Sequence, residues 1–143
     1  MKDMLIPLVG PDEKQVSVRI QAMHCLCNIW GKDKEEWLKN LLIPLIGPDE
    51  QDTGLRRQAT FYLGTIWGKE DWLKDLLIPL VGPDEKDQGI RQSAISAISN
   101  VWGREEWAKK VFMDIAGPKE KNDDIRFRAR HYLKTYYPEI PLE

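Results

Sequence analysis

The chain writes nearly the same ten residues three times. Met4–Glu13 reads MLIPLVGPDE, Leu41–Glu50 reads LLIPLIGPDE, and Leu76–Glu85 reads LLIPLVGPDE. A repeat of this length limits the fold sharply. Each copy must be one supersecondary unit whose apolar side is covered by the next copy. Aligned on Gly-Pro, the copies carry Gly10-Pro11, Gly47-Pro48, Gly82-Pro83 and Gly117-Pro118, at intervals of 37, 35 and 35 residues. An aliphatic-Arg pair follows each: Val18-Arg19, Leu55-Arg56, Ile90-Arg91 and Ile125-Arg126. Three residues past the Arg stand Ala22, Ala59, Ala94 and Ala129, and seven past stand Leu26, Leu63, Ile98 and Leu133. Further on come Ile29-Trp30, Ile66-Trp67, Val101-Trp102 and Tyr136-Tyr137, the first three followed by Gly31, Gly68 and Gly103.

These columns have helical spacing, since strand alternation would place apolar residues at +2 and +4. They predict a second helix in each copy, over 18–30, 55–67, 90–102 and 125–137. Each should end at its glycine in a left-handed backbone position. A first helix precedes each Gly-Pro: Glu35–Gly47, Glu70–Gly82 and Glu105–Gly117, with acidic residues in the first turn where the helix dipole favours them. Pro7, Pro44 and Pro79 fall inside these first helices and should bend them; the fourth copy has Asp114 there. GPDEQDTG and GPDEKDQG read as polar turns between the two helices.

A helix pair of this kind cannot bury its apolar stripe alone, so stacked copies are expected: an all-α protein, an α-solenoid of about four helix pairs over a single domain, 1–143, with repeats near 1–31, 34–68, 69–103 and 104–138. LLIPLVG with its mid-helix proline, the Asp-rich turn, and IRQSAISAISNVWG with its leading aliphatic-Arg resemble the HEAT repeat family, in its shorter bacterial HEAT-like and phycobilin-lyase-like class. The resemblance spans essentially the whole chain. It implies a right-handed superhelical stack whose second helices line the concave side. Tetratricopeptide repeats have a similar period, but their short interhelix turn does not fit the eight-residue GPDEKDQG. Family members serve as scaffolds, adaptors, transport receptors, DNA-glycosylase-like proteins and phycobilin-lyase-like proteins, so the resemblance implies architecture rather than one activity.

The two ends differ. Lys2-Asp3-Met4 aligns with Lys74-Asp75-Leu76, so Met1 takes the place of Leu73 and nothing stands for Trp72. This reads as a start inside a repeat of a longer array, leaving apolar surface for end-to-end self-association. The last helix carries Arg126, Arg128, Arg130, His131 and Lys134 and reads as a polar cap, stopped by Pro138.

Charge and composition then exclude some partners. With 21 Lys plus Arg against 23 Asp plus Glu, the formal charge of −2 offers no bulk attraction to nucleic acid or anionic membrane. No apolar run approaches the ~20 residues of a membrane span. The two cysteines, Cys25 and Cys27, point about 200° apart on a helix, which opposes a disulfide and places the chain in a reducing, cytoplasmic setting.

Several residues invite a chemical reading. Six tryptophans recur at fixed register, as a part repeated with the unit would; they are expected to pack between successive copies rather than to stack a ligand. Arg19, Arg56, Arg91 and Arg126 are expected to pair with turn carboxylates such as Asp12, Asp49, Asp52, Asp84, Asp87 and Asp124, at ~0–1 kcal/mol each if exposed. His24 and Cys25 point about 100° apart, poor geometry for an activated thiolate. No metal-ligand spacing, phosphate loop or nucleophile elbow occurs, so no catalytic, cofactor-binding or metal-ligating residue is expected. What varies is the set of second-helix positions between the fixed columns: Ile20, Arg57, Gln92 and Phe127 at +1, and His24, Phe61, Ser96 and His131 at +5. Arg57, Phe61, Gln92, Ser96, Asn100 and Arg128 are the expected partner-binding surface. The expected function is a non-catalytic protein-binding or scaffold module without a cofactor. Nucleic-acid binding is the alternative, and a phycobilin-lyase-like activity a weaker one.

Overall fold

The computed structural model describes residues 2–47 and 49–141. Met1, Pro48 and the final Leu142-Glu143 lie outside the described residues, and with them the alignment of Met1 on Leu73 and of Pro48 on the other repeat prolines. The described chain is all-helical, without a strand. It forms two compact units, Met1–Trp67 and Gly68–Glu143. The first holds α1 (Lys2–Val9), α2 (Val16–Trp30), α3 (Glu36–Leu42) and α4 (Thr53–Ile66), with short 3₁₀ segments at Gly31–Asp33 and Ile43–Ile46. The second holds α5 (Asp71–Val81), α6 (Gln88–Trp102), α7 (Glu106–Ala116) and α8 (Asp123–Tyr136). Each unit thus contains two of the helix pairs that the repeat predicts.

Within the first unit α1 packs on α2, α4 lies against α2, and the 3₁₀ segment after α3 lies against α4. Within the second, α5 packs on α6, α7 on α8 and α6 on α8. The fixed columns are the buried ones. Leu26, Leu63, Ile98 and Leu133 are fully buried, and Ala22, Ala59, Ala94 and Ala129 are buried with them. Burying one such Leu or Ile contributes ~1.5–3 kcal/mol.

The second helices start where the polar turn ends, because the turn supplies the cap. Asp52, Asp87 and Asn122 are extended N-cap residues whose side chains accept from the amides of Leu55, Ile90 and Ile125 at 2.8, 2.9 and 3.1 Å. Gln15 occupies the same place in the first pair without a side-chain cap bond. The prolines act unequally. Pro7 and Pro79 lie within continuous α-helix, whereas Pro44 falls in a 3₁₀ segment that follows α3 from Ile43. The first helix expected over 35–47 is therefore α-helical only to Leu42.

The glycines after the tryptophans do not take the left-handed position expected of them. Gly31 has φ −64° and Gly103 φ −54°, both right-handed. The left-handed residues among those described are Lys34, at φ 52°, and Lys69, at φ 78°. Space explains the two glycines instead. A Cβ on Gly31 would stand 3.0 Å from Ile66 Cδ1, and one on Gly103 would stand 2.5 Å from the Ser99 carbonyl oxygen and 3.0 Å from the Tyr136 ring.

The tryptophans join successive pairs within each unit. Trp30 at the end of α2 meets Trp37 in α3 edge-on at 6.0 Å, and Trp102 meets Trp107 in the same way at 5.7 Å. The indole N–H groups of Trp37 and Trp107 donate to Glu35 and Glu105, the residues just before those helices. Lys2 and Lys74 lie over the rings of Trp37 and Trp107 at 4.9 and 5.0 Å, where a cation is attracted to the ring face.

Candidate functional site

Arg19, Arg56 and Arg91 of the arginine column are buried, and the carboxylate that Arg19 and Arg91 take is not the one expected. Arg19 donates to the Val9 carbonyl at 2.9 Å and, as a fork, to both carboxylate oxygens of Glu50 at 3.0 and 2.6 Å. Arg91 repeats this in the second unit, donating to the Val81 carbonyl and to Glu120 at 3.0 and 2.5 Å. Arg56 likewise donates to the Ile46 carbonyl at 3.1 Å. The acceptor of the fork is thus the Glu three residues after the glycine of the following copy. It is not a turn aspartate such as Asp49, Asp52 or Asp84. Asp52 and Asp87 are occupied as helix caps. The same glutamates also order their own turns: Glu13, Glu50, Glu85 and Glu120 accept the amides of Gln15, Asp52, Asp87 and Asn122 at 2.9–3.0 Å.

This glutamate column was visible in the repeated GPDE and in GPKE of the fourth copy, but a carboxylate in a polar turn reads as solvated. Burial pushes the Glu50 carboxyl up, yet the bonds from Arg19 and from backbone amides outweigh it and hold the group below the ordinary range. The Arg91 fork does the same for Glu120 against its own burial. These buried, bidentate pairs fix how one helix pair meets the next.

Arg126 departs from the pattern. It donates to the Glu120 carbonyl at 2.6 Å and pairs with exposed Asp123, while Arg130 takes the Ala116 carbonyl at 3.1 Å. The tyrosines of α8 close this end. The Tyr132 hydroxyl donates to the Gly103 carbonyl, its ring lies 4.0 Å from Phe112, and burial raises its pKa.

With the columns committed to packing, the exposed faces of the second helices remain for binding. In the first unit Arg57 and Phe61 stand one turn apart on the outer face of α4, and Phe61 is 56% exposed. Its ring meets Tyr62 edge-on at 5.5 Å, and Tyr62 shares a hydrogen bond with His24 Nδ1 of α2. His24 is therefore engaged between helices. Cys25 and Cys27 are both free thiols, the first exposed and the second buried, and burial pushes the Cys27 thiol up to about 12.

In the second unit α6 and α8 enclose a cleft of ≈ 470 Å³. Ser96 and Ser99 line one wall; Asp124, Phe127, Arg128 and His131 line the other. Ser96 and Arg128 are thus brought together as neighbours of one depression. Gln92 lies one turn before Ser96, half-buried, outside that lining; Asn100 opens instead on a separate hollow with Arg104 and Tyr136. Phe127, 70% exposed, is the main apolar feature of the cleft and was not among the residues singled out. Its signal was present: Phe127 and His131 occupy the same +1 and +5 columns as Arg57 and Phe61. Arg128 shares its wall of the cleft with Asp124, one turn earlier on α8, rather than heading a uniformly basic strip.

Among the described residues no cluster of three or more His, Cys, Asp or Glu side chains could hold a metal ion. No described helix is long and apolar enough to cross a membrane. No family model, no curated protein and no solved structure matches this chain.

Proposed function

We propose that this chain is a non-catalytic protein-binding module: an α-solenoid of HEAT-like helix pairs with a right-handed superhelical stack, which holds an extended protein partner on the faces of its second helices. One observation carries the reading. The invariant faces of those helices are buried, while their variable faces expose isolated large aromatics among polar side chains, Phe61 beside Arg57 and Phe127 beside Ser96 and Arg128. Aromatic and arginine anchors set in a polar surround are the composition of protein interfaces. The stacking part of the reading is supported by the Arg19–Glu50 and Arg91–Glu120 forks, which join successive pairs in the same way in each unit. The two free thiols suit a reducing, cytoplasmic setting.

A peptide-display selection against the full chain tests the proposal. Selected extended peptides should lose about tenfold or more in affinity, measured by calorimetry, when Phe61→Ser or Phe127→Ser is introduced. Asp84→Asn, in an exposed turn, should leave affinity unchanged. Recovery of no peptide, or equal binding by both aromatic variants, would remove the reading.

Nucleic-acid binding is the second reading, favoured by exposed Arg128, His131 and Lys134 on α8. Against it, Arg126 and Arg130 are tied to carbonyls and Asp123, and Asp124 shares the cleft with Arg128. Titration with duplex DNA at two salt concentrations separates the two, because phosphate contacts make affinity fall steeply with salt.

A further inference from the structure

The first helix pair presents a surface that its counterparts have covered. Leu5 and Leu8 of α1 with Val18, Ala22 and Cys25 of α2 line an apolar groove of ≈ 280 Å³. The Gly-Pro register identifies the same positions elsewhere. For Leu5, Leu8, Val18 and Ala22 they are Leu42, Leu45, Leu55 and Ala59 in the second pair and Phe112, Ile115, Ile125 and Ala129 in the fourth, all buried; the counterparts of Cys25 are half-buried Tyr62 and buried Tyr132. In the first unit that burial includes the α2–α4 packing, and in the second the α6–α8 packing. In the first pair Leu5, Leu8 and Val18 are only half-buried and Cys25 is exposed.

By register Glu13 is the first pair's counterpart of Glu50 and Glu120. The Glu13 carboxylate accepts the Gln15 amide at 2.9 Å, as Glu50 accepts Asp52 and Glu120 accepts Asn122 at 3.0 and 2.9 Å. For Glu50 and Glu120 the rest of the carboxylate receives the guanidinium fork of the pair before it. Glu13 is held in the same turn by the same bond, so it is oriented for a fork of that kind.

We infer that the α1–α2 face is a docking surface for a further helix pair of this same repeat type, one that lays apolar side chains on Leu5, Leu8, Val18 and Ala22 and an arginine fork on Glu13. The occupant needs apolar or small residues where the first pair has buried Met23 and Cys27. It also needs a column arginine free to reach forward. The α8 end of a second copy meets neither need. It carries Arg130 and Lys134 in those two columns, and its Arg126 is bound to Glu120 and Asp123. The third copy does meet them, with Ile95, Ser99 and Arg91.

The test extends the full chain. A copy of residues 69–108 is placed ahead of Lys2, which keeps the natural spacing from one repeat to the next. Cys25, exposed in the groove, reports docking through its rate of modification by a thiol reagent. The extension should slow that rate about tenfold or more, because a docked pair must open before the reagent enters. The urea midpoint should rise with it. Glu13→Gln, or Arg→Met at the Arg91 position of the added copy, should return much of the reactivity. In the unextended chain Glu13→Gln should leave stability nearly unchanged. Equal Cys25 reactivity with and without the extension would overturn the inference. So would Cys25 protection in the unextended chain that grows with its concentration, since a second copy would then be the occupant.

Discussion

Glu120 shows how much one side chain can decide. It is buried, accepts both arms of Arg91, and accepts the amide that starts the Asn122 cap. Removing its charge leaves a buried guanidinium without its counter-ion. Glu120→Gln should therefore cost about 3 kcal/mol in urea unfolding, whereas Asp84→Asn, an exposed turn aspartate of the kind first expected to pair, should stay within about 0.5 kcal/mol. The pair also sets a pH dependence. The folded carboxyls of Glu50 and Glu120 lie below the ordinary value, so they stabilise the fold fully only above the unfolded value of about 4.3. Stability should fall as pH drops below about 5 and go on falling until the folded carboxyls take their protons. Glu120→Gln should flatten that acid limb; an unchanged limb would mean that other groups govern it.

Helix ends come next. The cap aspartates and asparagine were legible as polar turn residues, and they do start α4, α6 and α8. The glycine reading failed because two physical demands look alike in a sequence. A glycine may relieve a left-handed backbone or make room for a neighbour, and Gly103 makes room both for the Ser99 carbonyl, four positions back, and for Tyr136, thirty-odd positions on. The left-handed residue of the first unit is Lys34, at φ 52° and ψ 41°. A side chain there carries a steric cost of roughly 1–2 kcal/mol, offset in part by the entropy a glycine loses on folding. Lys34→Gly should raise unfolding free energy by about 0.5–1 kcal/mol. Gly103→Ala should lower it, since its Cβ would stand 2.5 Å from the Ser99 carbonyl oxygen, a backbone atom that cannot swing aside. Thermal melts of the two variants check both signs.

Taken together, the two units each repeat one joint: an arginine fork, a tryptophan pair and a row of buried alanines and leucines. Stability built of such joints should be distributed rather than concentrated in one core. In hydrogen exchange, Glu120→Gln should loosen amides of α6, α7 and α8 far more than those of α1 and α2. Uniform loosening from α1 through α8 would point to a single cooperative globule instead. Trp67, 3% exposed, should cost roughly 3 kcal/mol or more on Trp67→Ala.

The period, the helix pair within it, the buried columns and the polar turns were all legible in the residues, because helical spacing and capping act over three or four positions. Long-range choices were not. Arg19 finds Glu50, Arg91 finds Glu120, and Phe127 joins Ser96 in one cleft, over separations of 29 to 31 residues. Local propensity is blind to such distances; only the packing of one helix pair on another brings a particular carboxylate to a particular guanidinium and withdraws both from water.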